Sequence, residues 1–251
     1  MLNKKLIAQG FAIVLSVLLA FAIDAWWDRL GEKHDERESL GTVQADLEAT
    51  IDLLEDYADV VARISGASLS AYRALSSYVP SGARDSISNL MVASTVRRTM
   101  RLPRSGYTGL VSTGALRLIR DRDIRNQIIR FYADAESLQE IAEKNSTTHT
   151  DGHLAGVLIR GGLMLKRPIP QHILGLPLLS DDAIRERLGE EFRHRSDPLW
   201  DFPPDSPEWN RVRSALLQNS RGTQTNVTGA SLIRVQAIEL HAAIDSYLMS
   251  N

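Results

Sequence analysis

Two histidines have the spacing in this chain that comes closest to a metal site. His149 and His153 are four positions apart, so on a helix their rings lie on one face at about 6 Å, a separation that can chelate a metal ion. Asp151 lies between them. A zinc protease motif requires glutamate directly after the first histidine, where this chain has Thr150. The pair indicates either a metal site or two ordinary, partly exposed histidines, and we expect no cofactor.

A second group of polar residues interrupts the apolar stripes of two predicted helices. It consists of Asn145 and His149 on one helix and of Asn219, Thr223 and Asn226 on the other. If these helices pair antiparallel, Asn145 lies opposite Asn226, and Gly152 lies opposite Asn219. Buried amides and hydroxyls cost about 1 to 3 kcal/mol each when unpaired, so such a layer must be hydrogen-bonded, hydrated or filled by a ligand. Three interpretations stay open: a polar layer that fixes helix register, a small-molecule site, or a misassigned stripe whose residues are exposed.

No other pattern indicates catalysis or nucleic-acid binding. The sequence lacks a nucleophile elbow, a phosphate loop and a dinucleotide-binding turn. It has no cysteine, which excludes disulfides, thiolate metal sites and cysteine nucleophiles. Its 29 basic and 31 acidic residues give a formal net charge of −2, which does not favour a nucleic-acid partner. We therefore expect a protein that is not an enzyme and binds no nucleic acid.

Long helices are the elements that would position these residues. Apolar residues recur every three or four positions in three segments, and no proline precedes Pro80. The predicted helices run from about residue 24 to 78, 85 to 100, 121 to 162 and 205 to 251, with a short helix holding Leu110, Leu116 and Ile119. This predicts an all-α fold, in which an N-terminal transmembrane helix precedes an antiparallel four-helix-type bundle.

The predicted chain has four parts. Residues 1–27 form a transmembrane anchor, and residues 28–162 form the first part of the helical bundle. Residues 163–204 form a proline-rich excursion with one short helix at about 180–193, and residues 205–251 form the C-terminal bundle helix.

The anchor is the uncharged run from Leu6 to Ile23. As a helix it is about 27 Å long, enough to cross a thin hydrocarbon core. Two lysines precede the run, and Asp24 and two tryptophans follow it, so we expect the N-terminus in the cytoplasm and the bulk of the chain in the periplasm, held in a bacterial inner membrane. The alternative is a signal peptide cleaved after Ala22. Helix-compatible residues beyond Ala22 favour the uncleaved anchor.

Small residues and one carboxylate recur every four positions along the run. This small-residue ridge consists of Ala8, Ala12, Ser16, Ala20 and Asp24. Such a ridge lets a second helix approach closely, which would support a homo-oligomer or contact with another membrane subunit. The alternative interpretation is that alanine and serine are simply common in membrane spans.

Several short motifs carry a resemblance to a known family. They are the segments Ile23-Asp24-Ala25-Trp26-Trp27, Arg37, Leu40, Asp46-Leu47, Ser112-Thr113-Gly114-Ala115-Leu116-Arg117-Leu118-Ile119 and Phe131-Tyr132. Over about the first 140 residues the chain resembles an uncharacterised bacterial family of single-span membrane proteins, a domain of unknown function. The resemblance implies an uncleaved anchor and transfers no catalytic residue. In the motif itself we expect Gly114 to allow close packing and Leu116 and Ile119 to enter the core.

The function that these features favour is that of a membrane-anchored, extracytoplasmic helical scaffold or accessory subunit of a membrane assembly. The alternative is a sensor module that binds a small ligand or a metal in the polar layer. An enzyme of unrecognised type is the third hypothesis.

Overall fold

The structure is a computed structural model that describes residues 4–163 and 198–250, and of residues 4–10 and 12 it describes the backbone alone. Every regular element in these ranges is helical, so the chain is all-α, as predicted. The α-helices are α1 (Lys4–Leu75), α2 (Arg84–Ala93), α3 (Ser105–Thr113), α4 (Arg122–Asn145), α5 (Gly156–Arg160) and α6 (Pro207–Ser250). A π-helical segment, Ser146–Ala155, joins α4 to α5, and 3-10 turns cover Ser81–Ala83, Ala115–Leu118 and Pro198–Asp201. The helix expected at 180–193 lies outside the described residues.

The chain divides into two compact units. Unit 1 comprises Met1–Glu48, Arg104–Arg130 and Glu239–Asn251, and unit 2 comprises Ala49–Pro103 and Phe131–Ile238. The two longest helices, α1 and α6, contribute residues to both units.

Helix α1 is 72 residues long because its sequence holds no proline and a continuous apolar stripe. The stripe residues are all buried: Leu40, Val43, Leu47, Thr50, Leu54, Tyr57, Val61, Ile64, Ser68, Ala71 and Leu75. Tyr78, the last position of the expected helix, is instead 88% exposed, since α1 ends at Leu75. At this end the guanidinium of Arg213 donates to the Leu75 carbonyl at 3.1 Å, which satisfies one of the unpaired carbonyls of the helix terminus.

In the described residues, no helix is long and apolar enough to span a membrane. The structure does not describe the side chains of residues 6–10 and 12 of the predicted anchor. Ala8 and Ala12 of the small-residue ridge are among them.

In unit 1 a buried carboxylate of α1 caps another helix. Asp46 is only 5% exposed, and it accepts hydrogen bonds from the Ser105 hydroxyl at 2.9 Å and the Gly106 amide at 2.7 Å. These donors form the first turn of α3, where a negative charge is favourable. Glycine is required at position 106, because a Cβ atom there would lie 2.7 Å from the Thr42 carbonyl oxygen.

A second buried carboxylate, Glu36, holds the segment that follows α3. Its Oε1 accepts from the Arg120 amide at 2.7 Å and from the Tyr247 hydroxyl at 2.7 Å. Burial and the hydrogen bond to Glu36 raise the pKa of Tyr247 to about 12. Three parts of unit 1 therefore meet at one carboxylate.

The structure corrects two expectations about the motif at 112–119, the role of Gly114 and the burial of Leu116. A Cβ atom on Gly114 would meet no atom within 4 Å, so close packing does not explain this glycine. Its φ of +71° does explain it, since glycine adopts this left-handed conformation at no steric cost and so ends α3. Ile119 is fully buried as expected, whereas Leu116 is only half-buried.

Two helix boundaries also differ from prediction. Helix α2 ends at Ala93 and not near Met100, and at its end the hydroxyls of Ser94 and Thr95 donate to the carbonyls of Leu90 and Val92, both at 2.7 Å. Helix α6 begins at Pro207 and not at 205, and its capping side chain is Ser206, whose hydroxyl accepts from the Trp209 amide at 3.4 Å. Asp205 is not the cap.

The stripe of α4 changes phase in the π-helical segment. Up to Ala142 the predicted positions are buried: Ile124, Ile128, Phe131, Ala135, Leu138 and Ala142. Beyond Asn145 the predicted positions Gly152 and Ile159 are exposed, and the buried residues are Thr150, Leu154, Val157 and Leu158. A π turn holds an extra residue compared with an α turn, which rotates every later side chain around the helix axis.

Candidate functional site

The polar layer of unit 2 is centred on Asn219, which is completely buried. Its side-chain amide nitrogen donates to the Ser68 hydroxyl and to the Ser94 carbonyl, both at 2.9 Å. Its side-chain oxygen accepts from the Thr150 hydroxyl at 2.7 Å. Both N–H donors of the amide and one acceptor position are therefore used, and they link α1, the residue that follows α2 and the π-helical segment to α6.

The predicted contact between Asn145 and Asn226 is present. The Asn145 amide nitrogen lies 2.7 Å from the Asn226 side-chain oxygen. Asn226 also hydrogen-bonds Tyr57, whose pKa is raised by burial and lowered to a lesser extent by that bond. The other predicted pairing, of Gly152 with Asn219, is wrong, because the phase change places Thr150 opposite Asn219 and leaves Gly152 exposed.

The remaining hydroxyl groups of the layer are paired as well. Thr223 donates to carbonyls of its own helix, at 2.8 Å to Asn219 and 3.0 Å to Ser220. The Ser65 hydroxyl lies 3.1 Å from the Ser220 carbonyl. Among the described residues, the buried side-chain polar atoms without a partner belong to Arg234 and Gln236, outside this layer. The layer thus satisfies its own hydrogen bonds, as a register-fixing layer must, and the interpretation of Asn219, Thr223 and Asn226 as exposed is wrong.

The histidine pair lies on the π-helical segment and is half-buried. The ring of His149 packs against the backbone of α6, where a Cβ on Gly222 would be 2.9 Å from it. Asp151, the carboxylate between the histidines, is bound by the Arg97 guanidinium at 2.9 Å. In the described part of the chain, no group of three or more histidine, aspartate or glutamate side chains could hold a metal ion. A third ligand for His149 and His153 is therefore not supplied there.

The described part of the small-residue ridge lies on the exposed surface of α1. Ser16, Ala20 and Asp24 are all exposed. Their neighbours on α1 are large apolar residues that are exposed as well.

An aromatic cavity, which sequence patterns did not indicate, lies in unit 2 beside the C-terminal end of α1. It has a volume of about 770 Å³. The rings of Trp200 and Trp209 line it, with centroids 4.7 Å apart and planes tilted by 49°. Their indole N–H groups are held by the Ser88 hydroxyl at 2.9 Å and by the Phe202 carbonyl at 3.3 Å. Both rings are therefore fixed in place, Trp209 almost fully buried and Trp200 half-buried.

Two arginines and one aspartate supply the charge of the cavity lining. The Arg84 guanidinium lies over the Trp200 ring, 5.4 Å from its centroid. Arg213 donates to the carbonyls of Leu75 and Pro204 and to the side-chain oxygen of Asn210, and it pairs with no carboxylate among the described residues. With Asp205 as the acidic member, the formal charge of the lining is +1.

No family model matches this chain, and neither a curated protein nor a solved structure is significantly similar to it.

The chemistry that these arrangements support is recognition and assembly. The donors and acceptors of the polar layer bond to one another, which is the arrangement expected of a layer that fixes the register of the helices. The lining of the aromatic cavity combines aromatic side chains with positive charge, a combination that suits apolar rings and anions. The cavity is not predictable from local sequence patterns, because two groups of its lining residues stand more than 100 positions apart and the local signal is a pair of tryptophans near prolines 198 to 207.

Proposed function

We propose that this chain is a membrane-anchored helical protein of the bacterial inner membrane, with its bulk in the periplasm, that serves as a scaffold or accessory subunit of a membrane assembly. The proposal needs the anchor to lie in lipid and the small-residue ridge to contact another helix. It requires no catalytic step.

The observation that carries the proposal is the exposure of apolar side chains on the N-terminal part of α1. The large apolar residues from Phe11 to Trp27 among the described side chains are each between 47% and 70% exposed. They follow one another at intervals of one to three residues, so they surround the helix instead of forming one stripe. A helix that is apolar on all sides is characteristic of one buried in a large core or in a bilayer.

The residues at the end of the run support the same placement. Asp24 ends the uncharged run, and the Trp26 and Trp27 rings follow it with centroids 5.6 Å apart, both exposed. Tryptophan favours the layer of lipid headgroups, where its ring is apolar and its N–H group meets water. Lys4 and Lys5 before the run favour a cytoplasmic N-terminus.

The polar layer favours the scaffold over the ligand sensor. A ligand would need to break hydrogen bonds that Asn219 and Asn226 already make inside the unit. Each such bond contributes about 1 kcal/mol, and an unpaired buried group costs more. A rigid, self-paired layer suits a protein that presents surfaces to partners.

The experiment is site-directed photocrosslinking of the full chain in native membranes. The chain has no cysteine, so a single introduced cysteine can be labelled with benzophenone maleimide without background. We expect Ser16→Cys and Ala20→Cys to give adducts with a second copy or another membrane subunit. Leu18→Cys is the matched control, since at about 100° per residue it lies about 160° around the helix from both positions and faces lipid.

Adducts concentrated at Ser16 and Ala20 would support an assembly that uses the small-residue ridge. Equal adducts from all three positions, or adducts with lipid alone, would contradict it. A soluble chain that yields no membrane fraction would contradict the anchor itself.

A further inference from the structure

We propose that the aromatic cavity of unit 2 is a binding site for a small aromatic carboxylate, whose ring contacts the half-buried Trp200 and the exposed Phe202 and whose carboxylate pairs with Arg84. This inference rests on the cavity alone and does not depend on the anchor or on any partner of the ridge.

The size and walls of the cavity fit a small molecule. Its volume of about 770 Å³ lies in the range of about 300 to 1,000 Å³ that is usual for small-molecule sites. Besides the two tryptophans, the lining includes Tyr72 and Leu75. The other lining residues include Ser76, Ser77 and Ser81, which make the wall more polar than is usual for such sites, so it suits a ligand that carries a charged group beside its ring.

The indole rings are preorganised for a planar ligand. Because each N–H group is held by the protein, neither ring needs to reorient when a ligand enters. With centroids 4.7 Å apart, Trp200 and Trp209 pack on each other and leave no room for a ligand between them, so Trp209 supports Trp200 from behind while the ligand contacts Trp200 and Phe202. Preorganisation lowers the entropic cost of binding.

Charge selects an anion over a cation. The face of Trp200 that could attract a cation is already covered by Arg84, and the lining carries a formal charge of +1. The guanidinium of Arg84 makes no hydrogen bond or ion pair with the described residues beyond this ring contact. The contact uses its charge and not its N–H donors, so those donors remain available to grip a carboxylate through two parallel hydrogen bonds.

Arg213, the second arginine of the lining, has a different role from Arg84. Its guanidinium is committed to backbone carbonyls at the end of α1 and in the turn before α6. It contributes positive potential and holds the wall in place, whereas Arg84 is exposed and can follow the ligand. Arg84 is therefore the residue to change in a test.

The test is a fluorescence titration of the full chain in a mild detergent, with Trp26→Phe and Trp27→Phe so that only Trp200 and Trp209 emit. The probes are 1-naphthoate, the neutral 1-naphthalenemethanol and the cationic 1-naphthylmethylammonium. We expect saturable quenching by 1-naphthoate, with the neutral probe binding more weakly and the cation weakest.

Arg84→Gln should weaken binding of 1-naphthoate about tenfold and leave binding of 1-naphthalenemethanol unchanged, because it removes one charge-assisted contact. Arg73→Gln, an exposed change outside the lining, is the matched control and should alter neither. Quenching that does not saturate, tighter binding of the cation, or equal affinity of 1-naphthoate for the Arg84→Gln variant would each overturn the proposal. Because Arg84 is exposed, its replacement does not threaten the fold.

Discussion

Replacing Asn219 by alanine tests the polar layer at its centre. The change removes three hydrogen bonds and leaves the Thr150 hydroxyl, the Ser68 hydroxyl and the Ser94 carbonyl without their partner. The two hydroxyls can rotate toward carbonyls of their own helices, whereas the Ser94 carbonyl has no such freedom. An unpaired buried group costs about 1 to 3 kcal/mol, and the vacated volume adds to this cost, so we expect a loss of about 2 to 4 kcal/mol.

The measurement is urea-induced unfolding of the full chain in mild detergent, followed by far-ultraviolet circular dichroism. Gln218→Ala, an exposed change on the same helix, is the control and should stay within about 0.5 kcal/mol of the parent. Asn219→Asp adds a test without a cavity, since it keeps the shape but replaces two donors by an oxygen facing the Ser94 carbonyl. We expect it to be less stable at pH 7 than at pH 4, where a protonated carboxyl can donate.

If Asn219→Ala is no more destabilising than Gln218→Ala, the layer does not hold the helices in register. If Asn219→Asp is equally stable at both pH values, the hydrogen bond to the Ser94 carbonyl does not contribute to the free energy of unfolding. Either result would refute the argument from the hydrogen-bond geometry.

Unit 1 offers two further predictions. Gly106→Ala should lower the midpoint of thermal unfolding, by an amount equivalent to about 1 to 3 kcal/mol, because the new Cβ would meet the Thr42 carbonyl. Gly109→Ala on the same helix is the control: its Cβ would meet no atom within 4 Å, so this change should stabilise the protein by up to about 1 kcal/mol. The folded-state pKa of Tyr247 is about 12, above its unfolded value of about 10, so its contribution to stability is complete below pH 10 and is lost between pH 10 and 12. In the Tyr247→Phe variant, the unfolding free energy should therefore fall less steeply with pH between pH 10 and 12. The difference from the parent should be less than about 1 kcal/mol, since the ring is partly exposed. An equally steep fall in the variant would count against the hydrogen bond to Glu36.

The parts of the fold that the sequence predicts are those governed by local periodicity. The stripe from Leu40 to Leu75 is buried because a helix repeats its apolar positions every three or four residues. The same counting paired Asn145 with Asn226, since both lie in regular helix and the apolar matches fix the register.

The parts that the sequence does not predict depend on distant residues. Helix α2 ends early, and the carbonyl of Ser94 then meets Asn219, which stands 125 positions away. The π-helical segment shifts the stripe, so that Thr150 and not Gly152 faces Asn219. No local sequence pattern in Ser146–Ala155 predicts this segment. The aromatic cavity likewise brings together residues on separate helices and turns. Periodicity describes one helix at a time, and these features arise only when helices pack together.

The most direct test of the proposed anchor is alkaline carbonate extraction of membranes from cells that make the full chain. We predict that the chain, at its full mass of 27.9 kDa, stays in the membrane pellet. Leu15→Arg combined with Leu18→Arg should release it, since each arginine at the centre of a span costs about 2.5 to 3.5 kcal/mol. Recovery of the unchanged chain in the soluble fraction, or of a product lacking the first 22 residues, would contradict the anchor and with it the account of this protein as a membrane-bound scaffold.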